Sequence, residues 1–573
     1  MNVQQVGRFK TWQLVMLFVT GIFLVMGACK NDIAEPAPVL SITSFSPTTA
    51  PVGTTVTITG TNFNTTAGNN IVTFGTLPAT VSSATPTQLV VTVPAGAVDA
   101  PISVSANGAK ATSTASFVVG NKTVVFVSGE LTGTVNWTKD KVYLLKGYVY
   151  VINGATLNIE AGTIIRGGSK ADDPSGQQYA ATLVVEKGGK INAIGTAAEP
   201  IVFTSNKPVG QRSYGDWGGV ILFGKAPHNQ AGSVFAEGGI RGQLGTDNIA
   251  NDNSGTMQYV RIEFPGVALS GTANSEINGL TLYAVGSGTT LDHIQVSYSG
   301  DDSYEWFGGT VNAKYLVALR GFDDDWDTDW GFSGKVQYGV SLRDPEFADQ
   351  SSSNGFESDN MGNPGYPAGT TPTSISANNG LPLTSAVFAN MSNFVFSGVP
   401  NNSPSPKGSG AYQSAMHLRR FTAISIYNSV FSGYPEGLRL DGKANTTYAN
   451  ALADKLDLRG VVLANTQSTA LTILGKDEIT DAQAQAYFND PARANTVVAS
   501  SAVATLLLNS ANFNLTAPNF LPQTGSPLLT GAVKTGKVTD AFFDKVDYRG
   551  AFGTTNWTTG WTNFDPQNTN YDK

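Results

Sequence analysis

Short apolar segments separated by turns of Gly, Asn and Ser recur along most of this 573-residue chain, and their spacing restricts the folds it can adopt. The pair Asp301–Asp302 recurs as Asp323–Asp324, and Leu319–Arg320 recurs at nearly the same interval as Leu342–Arg343. A period of roughly 20–25 residues indicates a solenoid, in which each rung adds short strands to one continuous core. The blades of a β-propeller usually need about 40–50 residues, so the spacing argues against that fold.

The run "GYVYVINGATLNIEAGTIIRGG" opens this repetitive region, and the similar segments "NFVFSG" and "NSVFSG" begin at Asn393 and Asn428. The pattern resembles the right-handed parallel β-helix of the pectin-lyase-like fold. We therefore expect an all-β solenoid over residues 124–534. One helix, within residues 477–490, should decorate its side, and the aromatic residues 535–573 should cap its open end, since an exposed strand edge requires a cover.

Residues 38–119 form a separate unit in which short strands alternate apolar and polar residues between closely spaced turns. About 80 residues with this pattern predict a β-sandwich. The segments "ITSFSPTTAPVGTTVTITGTNF", "VTFG" and "LVVTVP" resemble the IPT/TIG immunoglobulin-like domain. That resemblance implies a spacer or a binding module without catalytic activity.

The N-terminus has the layout of an export signal. Arg8 and Lys10 precede the apolar run "TWQLVMLFVTGIFLVMGA", which ends at Cys29, the single cysteine of the chain. The sequence "VMGAC" resembles a bacterial lipoprotein signal, which implies a signal peptide over residues 1–28, lipidation of Cys29 and a polar tether over residues 29–37. A transmembrane anchor is the alternative, but the run falls slightly short of the ~20 apolar residues that a spanning helix needs.

Composition fits a secreted, turn-rich β protein. Charged residues make up 14% of the chain, against about 25% in an ordinary soluble domain, and a net charge of −8 gives no reason to expect nucleic acid as a partner. Segments such as "GDWGGVILFGKAP" and "GDDSYEWFGGTVNAKYLVA" make residues 120–573 resemble surface lipoproteins of the Bacteroidetes. The resemblance implies a lipid-anchored protein exposed on the outer membrane, and it bears on fold and location more than on chemistry.

Carboxylates are concentrated in "RGFDDDWDTDWGFSG", where Asp323, Asp325, Asp327 and Asp329 occupy alternate positions, and in the segments one rung before and one rung after it. Equivalent positions of adjacent rungs lie about 4.8 Å apart, so these groups should crowd one patch and raise one another's pKa. A Ca²⁺ ion, which accepts six to eight oxygen ligands, would relieve the repulsion. The candidate metal ligands are Asp302, Glu305, Asp323, Asp325, Asp327, Asp329, Glu357 and Asp359.

Two other interpretations of these carboxylates stay open, a solvated turn paired with arginines and a catalytic carboxylate cluster. An EF-hand loop that starts at Asp325 is excluded, because Trp330 stands at its obligatory glycine and Val336 at its bidentate glutamate. Polysaccharide lyases of the pectin-lyase-like fold combine metal-bound acids with a basic residue. If this chain is a lyase, the candidate bases near the cluster are Arg320, Lys335 and Arg343.

A hydrolase of the polygalacturonase type is not indicated, because the chain lacks a Gly-His-Gly motif. His228, His293 and His417 are isolated from one another, which makes a zinc enzyme improbable and favours structural roles for them.

The aromatic residues Trp306, Trp326 and Trp330 alternate with the carboxylates and are candidates for a sugar-binding platform, with packing inside the turns as the alternative. Two functions follow from the sequence. The first is a non-catalytic cell-surface module that binds glycans or a neighbouring outer-membrane protein. The second is a calcium-assisted lyase acting on acidic polysaccharides.

Overall fold

The computed structural model describes residues 39–120, 122–230, 234–236, 240–245, 247–268, 276–360, 380–395, 410–442, 444–464 and 472–571. The chain divides into two compact units on either side of the Val119–Gly120 bond. The predicted signal peptide, the tether and Cys29 lie outside the described residues. Among the described residues, no helix is long and apolar enough to span a membrane.

The first unit is a β-sandwich of two sheets. One sheet has the order β1-β3-β7-β6 and the other has the order β2-β9-β8-β4-β5. The strands are β1 (Ser41–Ser46), β2 (Thr49–Ala50), β3 (Thr55–Thr61), β4 (Ile71–Phe74), β5 (Leu77–Ala79), β6 (Val81–Ala84), β7 (Gln88–Thr92), β8 (Ala100–Ala106) and β9 (Ala109–Val119), with a 3₁₀ turn at Ala67–Asn69.

Alternation of residue types builds the core of this sandwich. In β3, Val56 and Ile58 are fully buried whereas the threonines between them face outward, as the period of a strand requires. Leu89 and Val91 of β7 and Phe117 of β9 complete the same apolar cluster. The predicted immunoglobulin-like sandwich is therefore confirmed.

The second unit is a parallel β-helix, and 26 strands of its described residues form one continuous sheet. Its first strands are β10 (Thr123–Leu131), β11 (Thr134–Trp137), β12 (Lys141–Val151), β13 (Thr156–Ile159), β14 (Ile164–Gly167), β15 (Thr182–Val185), β16 (Lys190–Ile194), β17 (Ile201–Ser205), β18 (Gly219–Phe223), β21 (Gly255–Glu263), β24 (Leu280–Tyr283), β25 (Thr290–Ser297) and β26 (Tyr304–Phe307). Two small hairpins lie outside this sheet, β19 (Val234–Phe235) with β20 (Gln243–Leu244) and β22 (Val267–Ala268) with β23 (Glu276–Ile277).

The sheet continues through β27 (Asn312–Leu319), β28 (Trp326–Asp329), β29 (Lys335–Arg343), β30 (Phe356–Ser358), β31 (Val387–Val395), β32 (Ser414–Leu418), β33 (Ser425–Tyr427), β34 (Val430–Ser432), β35 (Glu436–Gly442), β36 (Asp457–Arg459), β37 (Val462–Ala464), β38 (Ile473–Asp477) and β39 (Thr496–Val498). The helices are α1 (Ala449–Leu452), which follows a π-helical turn at Ala444–Tyr448, and α2 (Asp481–Phe488). Short 3₁₀ turns occur at Lys170–Asp172, Pro491–Arg493, Ser500–Leu506, Ser510–Phe513, Pro527–Leu529 and Gly536–Thr539.

The coil has three faces. One of them, which we call face B, is the stack of β15, β18, β24, β26, β28, β30, β32, β35 and β38. In the middle rungs the other two faces are halves of long bent strands such as β25, β27 and β29. The bend falls on a residue with positive φ at equivalent positions of successive rungs, as at His293, Tyr315 and Tyr338. The rings of these three residues stack at centroid distances of 4.3 and 5.0 Å, which aligns the rungs at this corner.

The register confirms the predicted rung length. Tyr304 pairs with Trp326, and Leu319 pairs with Leu342, so the interval between paired residues is the one at which the sequence motifs recur. The match between "NFVFSG" and "NSVFSG" does not give the true register, because Asn393 pairs with Phe431 and not with Asn428. Inward-facing apolar residues have only to fill the interior, so local sequence similarity between two strands does not fix the register between their rungs.

Helix α2 covers one end of the coil, whereas the sequence suggested a decoration on its side. Thr480 caps it and accepts a hydrogen bond from the Gln483 amide. Ala484, Tyr487 and Phe488 are buried in the interior cluster of the last rungs. The helix therefore closes the apolar core that the terminal strands would otherwise expose.

The aromatic C-terminal segment lies along the side of the coil, whereas the sequence suggested a cap over its end. It runs back from the late rungs to the early ones and is held by side chains at the bends and on the faces. These hydrogen bonds join Asn428 to Val533, Asn390 to Tyr548, Gln295 to Asn563 and Glu263 to Tyr571. Leu319, Phe394 and Val430, which face outward, are buried beneath Phe552 and Trp561 of the segment.

The two units should fold independently, because their apolar clusters share no residue. We expect a chain that begins at Gly120 to unfold in one cooperative transition, measured by circular dichroism during urea denaturation. The matched chain, residues 38–119, should also give a cooperative transition. An insoluble or molten β-helix unit would contradict this division of the chain.

Candidate functional site

A pocket of about 450 Å³ opens on face B and is lined almost entirely by carboxylates. Of the described residues that line it, nine are Asp or Glu and one, Arg419, is basic. We call it the acidic pocket. Its walls are Glu276, Asn278, Asp301, Asp302, Glu305, Asp323, Asp324, Asp327, Asp349, Gln350, Ser351, Glu357 and Arg419.

The floor of the acidic pocket is a row of outward-facing residues on successive rungs. Glu305 of β26 pairs with Asp327 of β28, which in turn pairs with Glu357 of β30. Each has an inward-facing aromatic neighbour, so the alternation of a strand places the carboxylates outside and the rings in the core. The next residue in the row is His417, where the acidic row ends.

The upper wall is built by the turns that precede β26 and β28. Asp302 accepts a hydrogen bond of 2.8 Å from the backbone amide of Asp324, and Asp324 accepts one from the amide of Asn354. These bonds fix consecutive turns against one another. They bring the repeated Asp-Asp pairs of the sequence to the mouth of the acidic pocket.

Carboxylate oxygens meet closely at two places that share Asp302. One oxygen each from Asp302, Glu305 and Asp327 lies within 4.8 Å of the others, and the same holds for Asp301, Asp302 and Asp323. Within the described part of the chain, the Oδ1 atoms of Asp323 and Asp327 are buried without a hydrogen-bond partner. A buried, ionised carboxylate oxygen without a hydrogen-bond partner destabilises the folded state unless it binds a proton or a cation.

Burial and mutual repulsion weaken the acidity of this cluster. Burial, followed by the charge of Asp349, raises the pKa of Asp323 to about 6. Burial, followed by the charge of Asp329, raises the pKa of Asp327 to about 7. Burial and the neighbouring aspartates also hold the pKa values of Asp302 and Asp324 well above their usual range. Near neutral pH the acidic pocket therefore favours an added positive charge.

Two of the predicted ligands, Asp329 and Asp359, do not line the acidic pocket. Asp359 is bound by Arg419 at 2.8 Å and by Arg420 at 2.6 Å. Asp329 accepts a 2.6 Å hydrogen bond from the Trp330 amide. Arginines therefore supply the counter-charge of Asp359. Burial raises the pKa of Asp329 to about 6, against the opposing charges of Arg420 and Arg419.

Asp325 also lies outside the acidic pocket, although the alternating pattern placed it there. The regular strand begins only at Trp326, and the bend before it turns Asp325 inward. There its Oδ1 lies 3.3 Å from Nη1 of Arg343, and both side chains are fully buried. Tyr434 donates a hydrogen bond of 3.2 Å to the other carboxylate oxygen. Asp325 is thus half of an internal ion pair.

None of the predicted catalytic bases lines the acidic pocket. Arg343 is buried with Asp325, Arg320 pairs with Asp344 and packs against the Tyr298 ring, and Lys335 pairs with Asp540 of the C-terminal segment. The basic residue in the wall is Arg419, which lies on the rung after Glu357. A long insertion separates the two in sequence, so only the register of β30 with β32 reveals the contact.

The predicted tryptophan platform does not form. Trp306 and Trp326 are fully buried in the interior, where Trp326 stacks on Tyr304 at a centroid distance of 5.1 Å. Trp330 packs against Phe307 at 4.5 Å on the outer surface of the coil. These rings stabilise the rungs that carry the carboxylates.

The donor set of the acidic pocket suits a hard divalent cation. Asp302, Glu305, Asp323 and Asp327, all predicted from the sequence, contribute oxygens to the two groups, and the structure adds Asp301. Carboxylate oxygens without nitrogen or sulfur ligands are typical of Ca²⁺ sites, which tolerate irregular geometry. The residues present therefore fit a calcium ion.

Residues 129–505, more than half of the chain, match the pectate-lyase-like β-helix domain. The chain belongs to the pectate-lyase-like β-helix family. Residues 40–119 match the IPT/TIG domain. Both matches confirm the fold class that the sequence predicted, an immunoglobulin-like sandwich followed by a right-handed parallel β-helix.

The chain is similar to two solved structures of auxiliary nutrient binding proteins. The one from Bacteroides thetaiotaomicron is 27% identical over 16% of the present chain, with a TM-score of 0.14. The one from Bacteroides ovatus is 26% identical over 15% of the present chain, with a TM-score of 0.14. A protein of unknown function from Bacteroides thetaiotaomicron shares 22% identity over 15%, also with a TM-score of 0.14. The matches span 25% of the first of those chains and 22% of each of the others. No curated protein matches the chain.

Proposed function

We propose that this protein is a cell-surface binding protein whose acidic pocket holds Ca²⁺ and, through that ion, a carboxylated glycan. The observation that carries the proposal is the wall of the acidic pocket, in which the described residues supply nine carboxylates and one arginine on face B of the coil. Its volume of about 450 Å³ falls in the range of about 300–1,000 Å³ typical of ligand pockets.

The glycan should carry acidic groups. The carboxylates of the acidic pocket alone repel anions, whereas a bound cation attracts them. A Ca²⁺ ion held by three or four protein carboxylates retains coordination positions for further oxygen ligands, since it accepts six to eight. A uronate carboxylate supplies such oxygens. Neutral sugars would gain less from the same site.

Calorimetric titration with short oligogalacturonates tests this function. We expect binding in millimolar Ca²⁺ and loss of binding in excess chelator. The variant Asp302→Asn with Asp327→Asn should lose most of the affinity, whereas Asp247→Asn, which changes an exposed carboxylate paired with Lys187, should retain it. Equal binding with and without Ca²⁺ would contradict the proposal.

A calcium-assisted polysaccharide lyase is the second candidate, because the pectate-lyase-like fold is compatible with it and Arg419 reaches the acidic pocket. A lyase removes the proton next to the uronate carboxylate and expels the glycosidic oxygen, leaving an unsaturated sugar. Burial and the charge of Arg420 lower the pKa of Arg419, which suits a base. Arg419 is held by ion pairs with Glu357 and Asp359, however, and it would have to leave them to reach a substrate. The ion pairs therefore favour binding over elimination.

Absorbance of the unsaturated product separates the two candidates. The binding function predicts no increase in ultraviolet absorbance when the protein is incubated with polygalacturonate and Ca²⁺. An increase that disappears in Arg419→Lys, measured beside unchanged calorimetric binding, would establish the lyase.

The location proposed from the sequence is the outer membrane, with a lipid on Cys29 and the β-helix exposed at the cell surface. Replacing Cys29 by Ser removes the thiol that accepts the lipid, so the variant should move from the membrane fraction to the soluble fraction. Fractionation followed by immunoblotting measures this. Complete retention of Cys29→Ser in the membrane fraction would place the anchor elsewhere.

A further inference from the structure

A second pocket, of about 440 Å³, lies on the first rungs of the β-helix and shares no residue with the acidic pocket. Three tyrosines dominate its wall, and we call it the tyrosine pocket. Its lining consists of Ser128, Gly129, Lys146, Tyr148, Tyr150, Asp173, Pro174, Ser175 and Tyr179.

The strand β12 and a turn that folds back over it create the tyrosine pocket. Alternation along β12 sends Val149 and Val151 into the core and leaves Tyr148 and Tyr150 on the outer surface. Tyr179, from the turn, stacks on Tyr148 at 4.2 Å with the rings 12° from parallel. Tyr150 meets Tyr148 edge-on at 6.1 Å. Tyr150 and Tyr179 are only partly buried, so each leaves ring surface at the wall.

The turn is held in place by its own hydrogen bonds. Asp173 accepts bonds from the amides of Ser175 and Tyr179 at 2.9 and 3.0 Å and from the Ser175 hydroxyl at 2.7 Å. Gly147 lets Asp173 approach, because a Cβ on Gly147, which has φ +60°, would lie 2.5 Å from its Oδ1. The tyrosine pocket is therefore preformed, as small-molecule sites usually are.

Charges around the tyrosine pocket favour a ligand without net charge. Lys146 and Asp173 contribute one positive and one negative group to the wall. Arg241 lies 4.2 Å from the centre of the Tyr150 ring and is itself neutralised by Glu130 and Glu186, each at 2.7 Å. An organic cation would meet Lys146, and an anion would meet Asp173.

We propose that the tyrosine pocket binds a neutral saccharide unit, which stacks on Tyr179 and Tyr150 and hydrogen-bonds through its hydroxyls to Lys146 and Asp173. Sugar rings present apolar C–H faces and polar rims, which match partly exposed tyrosines flanked by charged donors and acceptors. This site is independent of the cation proposed for the acidic pocket.

The test uses the full chain in excess chelator, so that the acidic pocket cannot contribute. Neutral oligosaccharides derived from glucan, xylan and mannan are presented on an array, and calorimetry then measures the strongest binder. Tyr179→Ala and Lys146→Met should each weaken its binding about tenfold, in line with the loss of one aromatic contact or one charged hydrogen bond. Melting curves establish that each variant is folded.

Two matched variants serve as controls. Tyr179→Phe keeps the ring and should keep the affinity, and Lys190→Met removes an exposed lysine of β16 outside the tyrosine pocket. The proposal is overturned if no neutral oligosaccharide binds in chelator. It is equally overturned if the folded Tyr179→Ala variant binds as tightly as the wild type, or if Lys190→Met and Lys146→Met weaken binding alike.

Discussion

Replacing Arg343 by Met should lower the free energy of unfolding by about 3–5 kcal/mol, because it leaves the buried Asp325 carboxylate without its counter-charge. Both side chains are fully buried, with Nη1 of Arg343 3.3 Å from Oδ1 of Asp325. Arg343 also donates a 2.9 Å hydrogen bond to the Asn354 carbonyl. Urea denaturation followed by tryptophan fluorescence measures the loss.

Two further variants make this result specific. Arg241→Met removes an arginine whose side chain is half exposed and should cost no more than about 1 kcal/mol. Asp325→Asn combined with Arg343→Met should recover part of the stability, since the orphaned charge is then absent. A loss below about 1 kcal/mol in Arg343→Met would show that the internal ion pair does not stabilise these rungs.

In chelator, the melting temperature should fall as the pH rises from about 5 to about 8, because the native carboxylates bind protons more tightly than the unfolded ones. The pKa of Asp323 is raised to about 6 and that of Asp327 to about 7. The native state is therefore favoured at low pH, and that advantage is lost as the pH passes these values. Differential scanning fluorimetry follows the effect.

Calcium should reverse this loss. A cation that binds only the native state stabilises it by ~2.7 kcal/mol at one hundred times its Kd, and the effect should be larger near pH 8 than near pH 5, where protons compete. Asp302→Asn with Asp327→Asn should abolish the response to Ca²⁺, whereas Asp247→Asn should leave it unchanged. Asp325 is not a suitable target for this test, because its substitution disturbs the pair with Arg343.

The repeat length and the alternation of residue types were sufficient to predict the solenoid and much of its outer surface. A strand must alternate, so Glu305, Asp327 and Glu357 were expected on one face and lie there on consecutive rungs. The same rule failed for Asp325, because the strand begins one residue later and the preceding bend rotates its side chain inward. Alternation applies only within the extended segment.

Contacts that cross long insertions could not be predicted from the sequence. Arg419 reaches the acidic pocket because β32 follows β30 in the stack, although the paired positions are far apart along the chain. The path of the C-terminal segment depends on amide side chains such as Asn390 and Asn428. Their hydrogen-bond partners, Tyr548 and Val533, lie more than 100 residues later in the sequence. Such hydrogen bonds leave no periodic signal in the sequence.

Direct titration with Ca²⁺ tests the central claim that the acidic pocket is a cation site. Isothermal titration calorimetry of the chelator-treated full chain near neutral pH should show saturable binding accompanied by proton release, because Asp327, whose pKa is raised to about 7, is partly protonated there when no cation is bound. The heat should disappear in Asp302→Asn with Asp327→Asn and persist in Asp247→Asn. Absence of saturable heat in the folded wild-type protein at millimolar Ca²⁺ would contradict the account.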